Sequence, residues 1–305
     1  VTPLQRYIAE EIATDHLDGL LSRREALRRL SLLGIGAAAA AALITACGET
    51  QQSSPGPSPS AAPETTTSRT ASPPGLERAL PTAAVRWAGP RGELQGAWAA
   101  APEPRGAVLV IHENKGLTDH IRSVAGRFAG IGYPALAIDL LSAQGGTAAF
   151  ADQAAATAAL SKIEPPEFIA DLRSGIEELQ RRVPGHKVAA VGFCMGGGLV
   201  WRLLAAGTPA LAAAVPFYGP APDDPDFGGS REAAVLAFYG ALDQRVNATE
   251  PVVRGALEKA AMVHELITEP DANHAFFNDT GDRYNPVAAA DAWHRVQDWF
   301  AAHLA

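Results

Sequence analysis

Lys187-Val188-Ala189-Ala190-Val191-Gly192-Phe193-Cys194-Met195-Gly196-Gly197-Gly198 is the stretch that decides how this chain is read. Lys187 to Val191 has the apolar character of a short buried strand, and Met195 to Ala206 that of a helix. Gly192-Phe193-Cys194-Met195-Gly196 must therefore make a tight turn from one to the other. Glycines two positions either side of Cys194 permit a strained backbone that pushes its side chain outward, and Gly197 and Gly198 let the helix pack closely. The thiol then sits at a helix N-terminus, where the dipole and unpaired amides favour thiolate over thiol.

A cysteine between glycines is also a common core residue, so the weight falls on its partners further along the chain. Asp243, in Tyr239-Gly240-Ala241-Leu242-Asp243-Gln244-Arg245-Val246, comes directly after the apolar run Ala233 to Phe238 and should emerge at the carboxyl end of a strand. His274, in Asp271-Ala272-Asn273-His274-Ala275-Phe276-Phe277, lies between a strand around His264 to Ile267 and the last helix. Either residue alone would suit an ordinary turn. Jointly, nucleophile then acid then histidine, each after a strand, is the order of the α/β-hydrolase fold. His274 would take the thiol proton and later protonate the leaving group, with Asp243 fixing its tautomer. Strands such as Ala135 to Asp139 and Ala212 to Tyr218 alternate with helices such as Phe168 to Arg182 and Val287 to His303. This argues for an α/β fold with a mostly parallel central sheet flanked by helices.

Ala107 to Leu117 reads as an apolar strand ending in the turn His112-Glu113-Asn114-Lys115-Gly116. In this fold the loop there and the residue after the nucleophile supply the oxyanion amides, which nominates the backbone N–H groups of Asn114 and Met195. Glu113 is the unexpected residue, because a carboxylate beside a thiol opposes thiolate formation. His112 reads as a strand-end residue facing a neighbour, and Trp201 as core.

Glu113-Asn114-Lys115-Gly116, Gly192-Phe193-Cys194-Met195-Gly196-Gly197, Asp243 and His274-Ala275-Phe276-Phe277-Asn278 together resemble the dienelactone hydrolase family, which is carboxymethylenebutenolidase-like. The resemblance runs from about Ala84 to the C-terminus. It implies a Cys194-His274-Asp243 triad cleaving a small ester or lactone through an acyl-enzyme. It also implies that Glu113 holds the thiol at rest and takes its proton when substrate arrives, which would protect the sulfur from oxidation outside a reducing compartment. Two arginines that bind the dienelactone carboxylate in the family are missing. One should come just after the histidine motif, where this chain has Asn278-Asp279, and the other should lie after Leu140, where Ser142 to Ser161 has none. Arg245 and Arg283, on neighbouring loops, are the candidate substitutes for binding substrate.

The composition along the 305 residues is uneven. Ser22-Arg23-Arg24-Glu25-Ala26-Leu27-Arg28-Arg29, the apolar run Leu30 to Ala46 and then Cys47 resemble a twin-arginine export signal (residues 1–46) ending in a lipobox, with Cys47 as the lipidated residue. Residues 47–79, rich in Ser, Thr and Pro, read as a disordered tether, and residues 80–305 as one hydrolase domain. The expectation is an exported protein lipid-anchored outside the cytoplasmic membrane of a bacterial cell. With Cys47 lipidated, no second cysteine remains for a disulfide, and Cys194 stays a thiol. A net charge of −8 without basic clusters beyond the signal argues against nucleic acid. No phosphate loop or metal-ligand spacing occurs, so no cofactor and no metal is expected, and a monomer is favoured. Two other readings remain open here: a lipid-anchored binding protein on a non-catalytic hydrolase scaffold, and an acyltransferase using the same triad.

Overall fold

The computed structural model describes residues 2–51 and 72–304. The chain divides into two compact units, Val1–Ala71 with Ala151–Ile163, and Ser72–Phe150 with Glu164–Ala305. Its strands are β1 (Ala83–Gly89), β2 (Gly92–Ala99), β3 (Ala107–Ile111), β4 (Ala135–Asp139), β5 (Val188–Phe193), β6 (Leu211–Phe217), β7 (Ala234–Gly240) and β8 (His264–Glu269). Its helices are α1 (Pro3–Leu17), α2 (Arg23–Leu32), α3 (Ala37–Gln51), α4 (Asp119–Gly130), α5 (Gln153–Leu160), α6 (Pro165–Arg182), α7 (Met195–Ala205), α8 (Gln244–Asn247), α9 (Glu250–Lys259) and α10 (Pro286–His303). The strands and helices expected from apolar runs are all present, displaced at their ends by at most three residues.

In the second unit the strands form one sheet in the order β1-β2-β4-β3-β5-β6-β7-β8. The hairpin β1–β2 and the pair β2–β4 are antiparallel, and every other pairing is parallel. Every residue of β3, β4, β5 and β7 is buried, as a parallel sheet covered by helices requires. The register places Ile111 beside Gly192, Phe193 beside Phe217 and Phe217 beside Phe238, so these strands end level with one another. Phe193, Phe217 and Phe238 stack at centroid distances of 4.8 and 4.6 Å, giving that edge an aromatic floor. Trp201 lies in the core against Phe227, as expected.

In the first unit α1, α2 and α3 pack on one another and α5 packs on α2. Thr2 and Gln5 form a reciprocal capping box at the start of α1, and Ser22 caps α2. Glu25 accepts from both Arg28 and Arg29, and those hydrogen bonds hold its carboxyl down at about 2. No helix among the described residues is long and apolar enough to cross a membrane.

Helix α3 is assigned to Gln51, and most of the expected tether, residues 52–71, lies outside the described residues. In the second unit, residues before 80 are tied to the sheet domain: the Leu80 N–H donates to the Gly126 carbonyl at 2.9 Å, and Gly75 is seated on Trp293, with room for no Cβ. Ala151–Ile163 belongs with the first unit. These are contacts between distant segments, and local composition does not carry them.

Candidate active site

Five adjacent strands each deliver one side chain to the carboxyl edge of the sheet: Glu113 after β3, Cys194 after β5, Tyr218 after β6, Asp243 after β7 and His274 after β8. This edge includes the point where strand order reverses, between β4-β3 and β5-β6, which is where open α/β sheets bind ligands.

Cys194 is the turn residue itself, at φ 55° and ψ −117°, a conformation that strains any residue with a Cβ. Its N–H donates to the Phe217 carbonyl at 3.0 Å, which extends the β5–β6 ladder into the turn. Glycine is required on both sides. A Cβ on Gly192 would stand 2.1 Å from the Gly196 carbonyl oxygen, and one on Gly196 would stand 2.3 Å from that of Ile111. Met195 opens α7, so its N–H is one of the helix's first amides and has no partner within the helix.

Asp243 and His274 meet at 2.6 Å, Oδ2 to Nδ1. The Asp243 turn is fixed by the Val246 N–H, which donates to Oδ1 at 3.2 Å, and by the Leu242 N–H, which donates to the carbonyl of Ala272 in the histidine loop at 2.9 Å. Burial alone would raise the Asp243 carboxyl, but the charge and hydrogen bond of His274, then the charge of Arg245, bring it below its ordinary value. Burial would likewise lower His274, yet Asp243 and Cys194 hold it well above its ordinary value. Asp243 thus stays a carboxylate, and the imidazolium is stabilised once the thiol proton has passed to His274. With Nδ1 donating to Asp243, Nε2 is the nitrogen left for the thiol. The Cys194 sulfur lies within 4.8 Å of a His274 ring nitrogen. Base, orienting acid and thiol are thus assembled for proton transfer and nucleophilic attack.

Glu113 is buried, and its Oε2 accepts from Asn278 Nδ2 at 2.7 Å. The orientation of that amide is set by its other end, because Asn278 Oδ1 accepts from the Thr280 N–H and hydroxyl at 3.0 and 2.7 Å. His112 supports the loop from beneath. Its Nε2 accepts from the Leu140 N–H at 3.2 Å, so Nδ1 carries the proton and donates to the Glu113 carbonyl at 2.6 Å. Burial holds His112 below its ordinary value and keeps it neutral. Thr147 braces the far side of the loop: its hydroxyl accepts from the Leu117 N–H at 2.8 Å and donates to Asp139 Oδ1 at 2.9 Å.

Residues 95–304 match the pattern of the dienelactone hydrolase family. The chain belongs to that family. It is 33% identical over 227 residues to a protein of Escherichia coli O157:H7 named "Putative carboxymethylenebutenolidase", covering 69% of this chain and 83% of that one. A protein of the same name from Saccharolobus solfataricus is 31% identical, with 67% and 92% covered. Among solved structures, a protein from Klebsiella pneumoniae described as a "Putative Dienelactone Hydrolase" superposes with a TM-score of 0.64 at 30% identity, covering 73% of this chain and 99% of that one. A dienelactone hydrolase-like promiscuous phosphotriesterase from metagenomic libraries gives 0.62 at 26% identity, with 74% and 100% covered. The fold is thus the α/β-hydrolase fold of this family, and the protein is a hydrolase.

Within that family frame, Cys194, His274 and Asp243 converge, with Glu113 and Asn114 on the loop after β3 and Met195 at the start of α7. Arg245 lies two residues beyond Asp243, and its charge bears on that carboxylate. Arg283 is half buried in the loop before α10. Asn278 and Asp279, which the sequence marks only as the place of a missing arginine, each have a partner. Asn278 holds Glu113, while Asp279 bridges His120 at 2.6 Å and Arg127 at 2.9 Å. Tyr218 reads in the sequence as a strand residue, and its place beside His274 is apparent only in three dimensions; a tyrosine directly after a strand that comes after the nucleophile helix is the available signal.

Proposed function

We propose that the protein hydrolyses a small ester or lactone through a thioester formed on Cys194. The observation that carries this is the 2.6 Å Asp243–His274 contact with the Cys194 sulfur on a strained turn beside it. His274 Nε2 accepts the thiol proton, the sulfur attacks the acyl carbon, and the oxyanion is met by the N–H groups of Met195 and Asn114. The leaving oxygen departs with the proton from His274. Water then attacks the thioester, His274 takes its proton, and the sulfur leaves. Glu113 has the role of gate: held by the neutral amide of Asn278, it can be displaced by substrate without breaking an ion pair. Because an amide stands where dienelactone binding would call for a guanidinium, the acyl portion that suits this pocket is uncharged, unless Arg245 or Arg283 reaches it.

Turnover of p-nitrophenyl acetate, a simple lactone and a phosphotriester by the full chain is the test. Cys194→Ala should reduce hydrolysis by about a thousandfold or more, and mass spectrometry of the wild type should trap the acyl adduct on Cys194. Undiminished turnover would end the proposal. Export and lipidation at Cys47 are proposed on the arginine-led apolar segment alone. Maturation there removes α1, α2 and most of α3, so the N-terminal peptide of the membrane-bound protein should begin at a diacylglyceryl-modified Cys47; an unprocessed N-terminus would refute this.

A further inference from the structure

Tyr218 sits in the candidate site without a part in the chemistry described above. It comes directly after β6, between the strands that deliver Cys194 and Asp243, and it is fully buried. Its backbone is at φ 37°, strained for an aromatic residue, and its N–H donates to the Phe238 carbonyl at 2.7 Å, which holds that conformation in place. The side chain is turned into the site. Its ring meets the His274 ring edge-on at 5.2 Å and the Phe276 ring at 5.3 Å. The Phe277 N–H points toward the phenol oxygen, but nothing among the described residues accepts the hydroxyl proton. A buried donor without an acceptor is destabilising, and here it coincides with backbone strain at one residue of the candidate site.

We propose that Tyr218 is a further catalytic residue, whose hydroxyl donates a hydrogen bond to the leaving-group oxygen while His274 protonates it. Its ring contact selects this role: Tyr218 packs against the imidazole that hands a proton to the departing oxygen, while the oxyanion already has the N–H groups of Met195 and Asn114 assigned to it. The phenol keeps its own proton throughout: the acyl C–O bond breaks, the leaving oxygen takes the His274 proton, and the thioester carbonyl re-forms. Burial, followed by the charges of Glu113 and Cys194, pushes the Tyr218 hydroxyl well above its ordinary range, so it remains a donor at any working pH. The role depends on the acyl-enzyme reading above, and it applies most to substrates whose leaving group is a poor one, such as an alkyl alcohol.

The experiment compares wild type, Tyr218→Phe and Cys194→Ala on acetate esters with leaving groups graded from p-nitrophenol to ethanol. Tyr218→Phe should lose about tenfold or more in kcat/KM on the ethyl ester and about twofold or less on the p-nitrophenyl ester, with its melting temperature equal to or above wild type. Uniform loss across the series, or none, overturns the proposal. Should Tyr218→Phe not fold, 3,5-difluorotyrosine placed at 218 gives a stronger donor, and the ethyl to p-nitrophenyl rate ratio should rise; an unchanged ratio overturns the proposal as well. Activity retained by Cys194→Ala would remove the acyl-enzyme reading itself, a failure separable from that of Tyr218.

Discussion

Asp243 and Glu113 are both buried carboxylates at the same sheet edge, yet their partners are of opposite kinds. Asp243 faces an imidazole that can become a cation, at 2.6 Å, and each group shifts the other toward its charged form. Glu113 faces the neutral amide of Asn278, with a second oxygen that nothing among the described residues satisfies. An ion pair removed from water is costly to break on one side only, because the surviving charge is stranded. An amide–carboxylate hydrogen bond is exchanged at much lower cost. On the proposed mechanism, one carboxylate stays in place and the other moves.

The sharpest way to break that contrast is Asp243→Asn. Its expected effect is the largest, a fall in kcat of about 10²–10⁴-fold, since His274 loses both its orientation and its anion. Asp243 raises His274, so without that charge His274 sheds its proton at lower pH, and the acid limb of kcat/KM against pH should move downward. A limb that stays in place would separate Asp243 from the proton chemistry. Glu113→Gln comes next. Removing a negative charge near the sulfur favours thiolate, so iodoacetamide should alkylate Cys194 about tenfold faster at neutral pH, with a smaller loss of hydrolysis. Equal alkylation rates in the two proteins would deny Glu113 its gating role. Asn278→Ala should do least, about a two- to threefold change in either rate, because it loosens Glu113 without removing its charge. A loss as deep as that of Asp243→Asn would mean that the two sides of the site are held equally rigidly.

The two sides are also unequally legible in the sequence. Cys194 and Asp243 each sit just past an apolar run and His274 comes after an expected strand, and a strand's end marks its own sheet edge, so the 31-residue separation of Asp243 and His274 does not hide the pairing. Asn278 holds Glu113 from 165 residues away, and no local pattern announces such a pairing. In the sequence that residue stands out only for the arginine it is not. Tyr218 is hidden for another reason: its orientation comes from a positive φ, which for a tyrosine has no sequence signature.

The Asp139–Thr147 brace carries a lesson for anyone diversifying this enzyme. Thr147 holds Leu117 through its hydroxyl, and Asp139 receives both the hydroxyl and the N–H of Thr147, the latter at 2.7 Å. The loop bearing Glu113 and Asn114 thus takes part of its shape from a pair of residues outside the triad. Libraries restricted to the triad and its loop would pass over them. Selection for a new acyl group should instead return substitutions at Asp139 and Thr147 alongside those in the pocket, each altering specificity by redrawing the loop.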